Sequence, residues 1–138
     1  MSEMEDDDRL RQILEATRTI AVVGLSTHPG KDSHQVSAYL KARGFRVIPI
    51  HPAAVEVLGE TAYPDLLALP MRVDMVLAFR PSAELRGIAD QAVRIGARTL
   101  WSQLGLADDE AGARARAAGL QVVMDRCIRT EHRRLHRA

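Results

Sequence analysis

A chain of 138 residues, 46% of them apolar and with a formal net charge of +1, can bury one substantial core and has no charge excess to hold it on nucleic acid. The opening Met1-Ser2-Glu3-Met4-Glu5-Asp6-Asp7-Asp8 is acidic and has no leader pattern, and no run reaches membrane-spanning length, so a cytoplasmic protein with no nucleic-acid or membrane partner is expected. Cys127 is the single cysteine, which excludes an internal disulfide framework.

The chain, 1–138, reads as a single domain whose residues 1–5 form a frayed acidic end. Leu10, Ile13, Leu14 and Thr17 then fall on one helical face, with Asp6, Asp7 and Asp8 where a helix N-terminus favours negative charge. The β-branched run from Thr19 to Gly24 predicts a strand. A polar loop follows, and a helix opens with a cap at Asp32 or Ser33 and closes at Gly44.

This strand, loop and helix form an anion-binding pattern, because the first amides of a helix lack intrahelical acceptors and carry partial positive charge. Gly24 and Leu25 begin the loop, Ser26, Thr27 and Ser33 add hydroxyls, and Lys31 adds a cation. The glycine spacing fits neither known phosphate fingerprint. A dinucleotide loop would read G-x-G-x-x-G, but Ser26 stands at its second glycine; an ATPase loop would need Ser or Thr after Gly30-Lys31, where Asp32 stands.

A second buried strand spans Phe45 to Ile50 and ends in Pro49-Ile50-His51-Pro52. An NAD site usually carries Asp or Glu here, and no carboxylate occurs until Glu56. The stretch from Ala53 to Pro70 is a crossover with one short helix over 65–69. Val73 to Phe79 is the third strand, followed by Arg80-Pro81-Ser82, with Ser82 as N-cap of a helix that buries Leu85, Ile88, Ala89, Ala92 and Val93. Arg98 to Trp101 forms the fourth strand, leading through Ser102-Gln103 to an alanine-rich helix capped at Asp108. A fifth strand, Leu120 to Met124, precedes a basic helix that turns Ile128 and Leu135 inward.

Strands alternating with helices predict an α/β fold, a doubly wound five-stranded parallel sheet with helices on both faces. Ligands of such sheets bind beyond the carboxyl ends of the strands, where Ser26, His51, Arg80 and Gln103 are expected to converge.

Ile20-Ala-Val-Val-Gly-Leu-Ser, Val47-Ile-Pro, Ala62-Tyr-Pro, Phe79-Arg, Trp101-Ser-Gln-Leu-Gly and Val122-Val-Met-Asp-Arg-Cys-Ile-Arg-Thr-Glu-His together resemble the small bacterial and archaeal CoA-binding proteins. Those are similar in turn to the CoA-binding domain of the succinyl-CoA synthetase α subunit. The resemblance implies a Rossmann-like fold that binds coenzyme A or an acyl-CoA by its ADP portion without catalysis. It places the phosphates at Gly24, Leu25, Ser26, Thr27, Lys31 and Ser33, and the adenine near Pro49, His51, Phe79, Arg80 and Pro81. This chain departs from the family pattern at His51, where asparagine is common, and at Pro81.

Two other readings use the same fold: an NAD(P)-binding redox protein or regulator, and a subunit of a CoA-thioester enzyme that needs a separate catalytic partner. No catalytic constellation is evident. Cys127 with Asp125 and His132 lacks an oxyanion device, and Cys127, His132 and His136 make a poor metal set without a fourth ligand. Asp125 and Arg126 are expected to join the last strand to the terminal helix. Oligomeric state, a homodimer included, stays open.

Overall fold

A computed structural model describes residues 3–136. The first helix, α1 (Glu3–Ala16), starts inside the segment expected to fray; Met1 and Ser2 lie outside the described residues. Strands β1 (Thr19–Val23) and β2 (Arg46–Ile50) are joined by helix α2 (Asp32–Ala42). Phe45 donates its amide to Leu40 and Gly44 donates to Lys41, with Gly44 at φ 97°, so the expected terminal glycine closes α2 as a Schellman motif.

Strands β3 (Glu56–Val57) and β4 (Glu60–Thr61) form a hairpin that the weak periodicity of this stretch does not announce. Its two loop residues, Leu58 and Gly59, have φ of 52° and 78°, as a tight primed turn requires. Beyond it, Tyr63 accepts from the His51 amide and donates to the Pro49 carbonyl, covering the outer edge of β2.

The remaining elements are strand β5 (Met75–Ala78), helix α3 (Leu85–Arg94), strand β6 (Thr99–Ser102), helix α4 (Asp109–Ala117), strand β7 (Gln121–Val123) and helix α5 (Ile128–Leu135). All pairings of the large sheet are parallel, in the order β2-β1-β5-β6-β7, so this is the expected five-stranded Rossmann-like arrangement. Alternate residues of each strand feed two cores. Ile20, Val22, Met75 and Leu77 pack with α1, α2 and α5, whereas Ala21, Val76 and Ala78 pack with α3 and α4.

Two caps differ from expectation. Lys31, in extended conformation, occupies the N-cap of α2 and makes no side-chain cap bond, because its ammonium has no acceptor to offer, and the Ser33 hydroxyl reaches back across the loop to the Ser26 amide. Ser82 opens a short 3₁₀ turn over Ser82–Glu84, and its hydroxyl accepts from the Ala107 amide at 3.0 Å rather than capping α3. Asp108 does cap α4, accepting from Ala111.

Candidate functional site

The direction in which successive strands are added to the sheet reverses between β1 and β5: from β1 the chain moves outward to β2, whereas β5, β6 and β7 follow on the other side. Loops leaving β1 and β5 therefore part in opposite directions and leave a crevice between them. A cleft of about 750 Å³ lies there, with Gly24, Leu25 and Ser26 after β1, His51 and Pro52 after β2, and Arg80 after β5 along its walls.

The loop after β1 is held to the first turn of α2. Ser26 donates its amide to Ser33 Oγ at 2.9 Å, and Ser26 Oγ accepts from the His28 amide at 3.0 Å. Each hydroxyl thus uses one acceptor position and keeps its own hydrogen to donate. Among the described residues, the amides of Asp32 and Ser33 have no acceptor, as the start of an α-helix requires. The Gly24 amide is not part of this set, because it donates to Ile50 and extends the β1–β2 ladder.

Ile50, Pro52, Pro64, Leu66 and Ile88 give the cleft an apolar interior, and Gly87 adds a stretch of wall without a side chain. A Cβ built on Gly87 meets nothing within 4 Å. His51 sits at one border, and its Nδ1 accepts from the amides of Ala53 and Ala54 at 3.1 and 2.9 Å. That pattern puts the imidazole proton on Nε2, the nitrogen left to donate.

Opposite His51, Arg80 pairs with Glu84 on both sides of its fork, Nε to Oε1 at 3.2 Å and Nη2 to Oε2 at 2.8 Å. The hydrogen bond to Glu84 raises the Arg80 pKa further above its ordinary value. Asp65 also borders the cleft, its Oδ1 engaged by the Ala68 amide.

Of the residues singled out from the sequence, Gly24, Leu25, Ser26, His51 and Arg80 come together on this cleft. Thr27 and Lys31 are exposed on the loop outside its walls, and Ser33 is buried behind Ser26. Pro49 is buried within β2, Phe79 packs against the core on the α2 side, and Pro81 is exposed at the start of the 3₁₀ turn.

Gln103 does not join them. It is buried, and its Oε1 accepts from the Ile128 amide at 2.9 Å, at the N-terminus of α5. Trp101 is fully buried as well, donating from Nε1 to the Arg126 carbonyl at 2.8 Å. Of the two residues expected to join the last strand to the terminal helix, Asp125 accepts from the Gly105 amide, whereas Arg126 pairs with Asp6 of α1 at 2.7 Å and with Glu131 of α5 at 3.5 Å. Burial pushes the Cys127 thiol up, but hydrogen bonds from Thr130, Gln103 and the Arg129 amide outweigh it and lower its pKa. Among the described residues no group of three metal-ligating side chains occurs. No described helix is long and apolar enough to cross a membrane.

Sequence reasoning did not find Pro64, Leu66, Gly87 and Ile88 as cleft residues. The available signal was Gly87, a glycine within a helix whose neighbours follow a regular apolar period.

A parallel sheet with a hydroxyl-lined loop and a cleft at its switch point defines a Rossmann-like α/β domain. The chain belongs to the CoA binding domain family, whose model matches residues 18–133. It is similar to the uncharacterized protein YneT of Bacillus subtilis (strain 168), with 37% identity over 123 residues that span 89% of this chain and 91% of that one. Among solved structures, a hypothetical protein from Pyrococcus horikoshii OT3 superposes with a TM-score of 0.90 at 36% identity, covering 94% of this chain and 91% of that one. The dinucleotide forming acetyl-coenzyme A synthetase 1 of Ca. Korarchaeum cryptofilum matches at TM-score 0.66 and 28% identity, over 75% of this chain but only 25% of the synthetase.

Proposed function

We propose that this chain binds coenzyme A or an acyl-CoA through its ADP portion and carries out no bond chemistry of its own. The observation that supports this best is the position of the cleft, directly over the Gly24-Leu25-Ser26 turn at the sheet's switch point. In this reading the diphosphate lies against the loop from Gly24 to Thr27 and the start of α2, taking donors from the Ser26 and Ser33 hydroxyls and the unpaired amides, with Lys31 as counter-charge. The adenine fills the apolar slot over Gly87, within reach of the His51 Nε2–H, while Pro49, Phe79 and Pro81 shape its borders. Gln103, committed to α5, is left out.

Calorimetric titration with CoA, acetyl-CoA, NAD and ATP tests the reading. CoA and acetyl-CoA are expected to bind alike and more tightly than the other two; equal affinity for all four would overturn it.

The likeness to a quarter of an acetyl-coenzyme A synthetase favours one second reading, a CoA-holding component of a thioester enzyme whose reactive groups lie on another chain. Pull-down of a partner that confers acyl-CoA turnover on the mixture would establish that role.

A further inference from the structure

The cleft carries an electrostatic contradiction if its ligand is a polyanion. Arg80 is the one Lys or Arg among its lining residues, and Asp65 and Glu84 both present carboxylates there. Glu84 already occupies the Arg80 fork with two hydrogen bonds, at 3.2 and 2.8 Å.

We propose that Arg80 is a specificity-determining residue whose guanidinium Glu84 holds as a stand-in for a phosphomonoester on the ligand's ribose, and releases only to such a group. This rests on the reading of the cleft as an ADP site.

Three observations carry the inference. The Arg80 stem crosses directly over Gly24, its Cδ 2.8 Å and its Cγ 3.3 Å from where a Cβ would stand, so the lack of a side chain at position 24 leaves the guanidinium its path to the cleft mouth. Both partners of the pair are 47% exposed, so solvent screens their attraction and an incoming anion can displace the carboxylate without unfolding anything. The fork geometry is the third: two parallel N–H donors that match a carboxylate also match two oxygens of a phosphate.

Competition then sorts the ligands. A phosphomonoester brings about −1.5 to −2 charges and three acceptor oxygens against the single charge of Glu84, and so wins the guanidinium. A bare ribose hydroxyl brings no charge and loses. A ligand without the phosphate therefore meets two carboxylates and a neutralised arginine. The same chemistry occurs as the 3′-phosphate of CoA and as the 2′-phosphate of NADP, and the two sources are separable by experiment.

Calorimetry with CoA, 3′-dephospho-CoA, NADP and NAD on the wild-type chain and on Glu84→Gln and Arg80→Gln provides the test. Both positions are exposed, and matching melting curves establish that the variants fold. The wild type should prefer CoA over dephospho-CoA by about tenfold or more, as one charge-assisted phosphate contact allows. Glu84→Gln should tighten CoA about fivefold and leave dephospho-CoA within about twofold, so that the preference for the phosphorylated ligand rises, because only the phosphate competes with the carboxylate. Arg80→Gln should abolish the preference.

A tighter phosphorylated ligand in the NADP/NAD pair than in the CoA pair would keep this inference and overturn the CoA reading. CoA binding without discrimination between the paired ligands, or weakening of both by Glu84→Gln, would overturn the inference and keep the CoA reading. Binding of none of the four would overturn both.

Discussion

The side chain of Arg80 occupies the space that any side chain at position 24 would enter: a Cβ on Gly24 would lie 2.8 Å from Arg80 Cδ and 3.1 Å from the Phe79 carbonyl oxygen. The contact follows from the sheet, because Val23 and Ala78 are register partners in neighbouring parallel strands and the two loops start side by side before they part. Gly24 also has a φ of 88°, a conformation that favours glycine. Gly24→Ala therefore combines backbone strain with a clash against a carbonyl that cannot move aside. A loss of about 2 kcal/mol or more in urea denaturation is expected. Adding Arg80→Ala should recover only the part due to the arginine stem.

Ser33 makes a second, weaker link in the same loop. Its hydroxyl is the acceptor for the Ser26 amide, across seven residues of chain, and it is only 7% exposed. Ser33→Ala leaves that amide unpaired and should lower stability by about 1 kcal/mol. The effect on CoA affinity should be larger than the effect on stability, because one donor is removed and the loop that aims the others is released. Paired denaturation and calorimetry on the variant measure the two losses separately.

The five strands were legible because short apolar runs such as Ile20-Ala-Val-Val and Met75-Val-Leu stand between clear helical periods. The hairpin was not, since β3 and β4 have two residues each and Leu58 gives no hint that it adopts a left-handed backbone. Ser33 shows a similar limit. A hydroxyl near a helix start reads as a cap, yet here it bonds an amide back across the loop, a pairing that spacing does not encode. Position after a strand did place Ser26, His51 and Arg80 at the carboxyl end of the sheet, on the cleft. It says nothing of side-chain direction, and Gln103, with the same positional signal, turns toward α5. The apolar walls arise from the crossover packing against α3, a contact far apart in sequence.

Gly87 separates stability from binding in a single position. Glycine inside a helix is less favourable than alanine by about 1 kcal/mol, and nothing lies within 4 Å of its missing Cβ, so Gly87→Ala should stabilise the chain by up to that amount. Gly87→Leu should fold equally well but push a branched side chain into the slot assigned to adenine. The expected result is a melting temperature at or above wild type with CoA binding reduced at least tenfold, by steric exclusion from a cleft of about 750 Å³. Unchanged affinity in Gly87→Leu would place the base elsewhere.

The packing of α5 on α2 predicts a pH-dependent stability. His132 Nδ1 and the Tyr39 hydroxyl share a hydrogen bond of 2.7 Å. The ring lies edge-on to Tyr39 and Phe45, stacks on His136 at 4.1 Å, and has the Arg43 and Arg133 guanidinium groups nearby over the Tyr39 ring. Burial, followed by the charges of His136 and Arg43, lowers the His132 pKa below its ordinary 6.5. The folded state thus binds this proton less readily than the unfolded chain. Its contribution to stability is complete above pH 6.5 and is lost as pH falls from there toward the lowered value. Asp7 acts in a separate window: hydrogen bonding to Arg134 lowers its pKa from 3.8, so its contribution fades only in more acid solution. Thermal melts should therefore show a falling melting temperature from pH 7.5 to 5.5 in the wild type, at an ionic strength held constant. His132→Gln keeps a hydrogen-bonding group for Tyr39 but cannot titrate, so its melting temperature should depend less on pH across that interval. Equal pH slopes in the two proteins would mean that the ring accepts its proton in place, without disturbing the contact between α2 and α5.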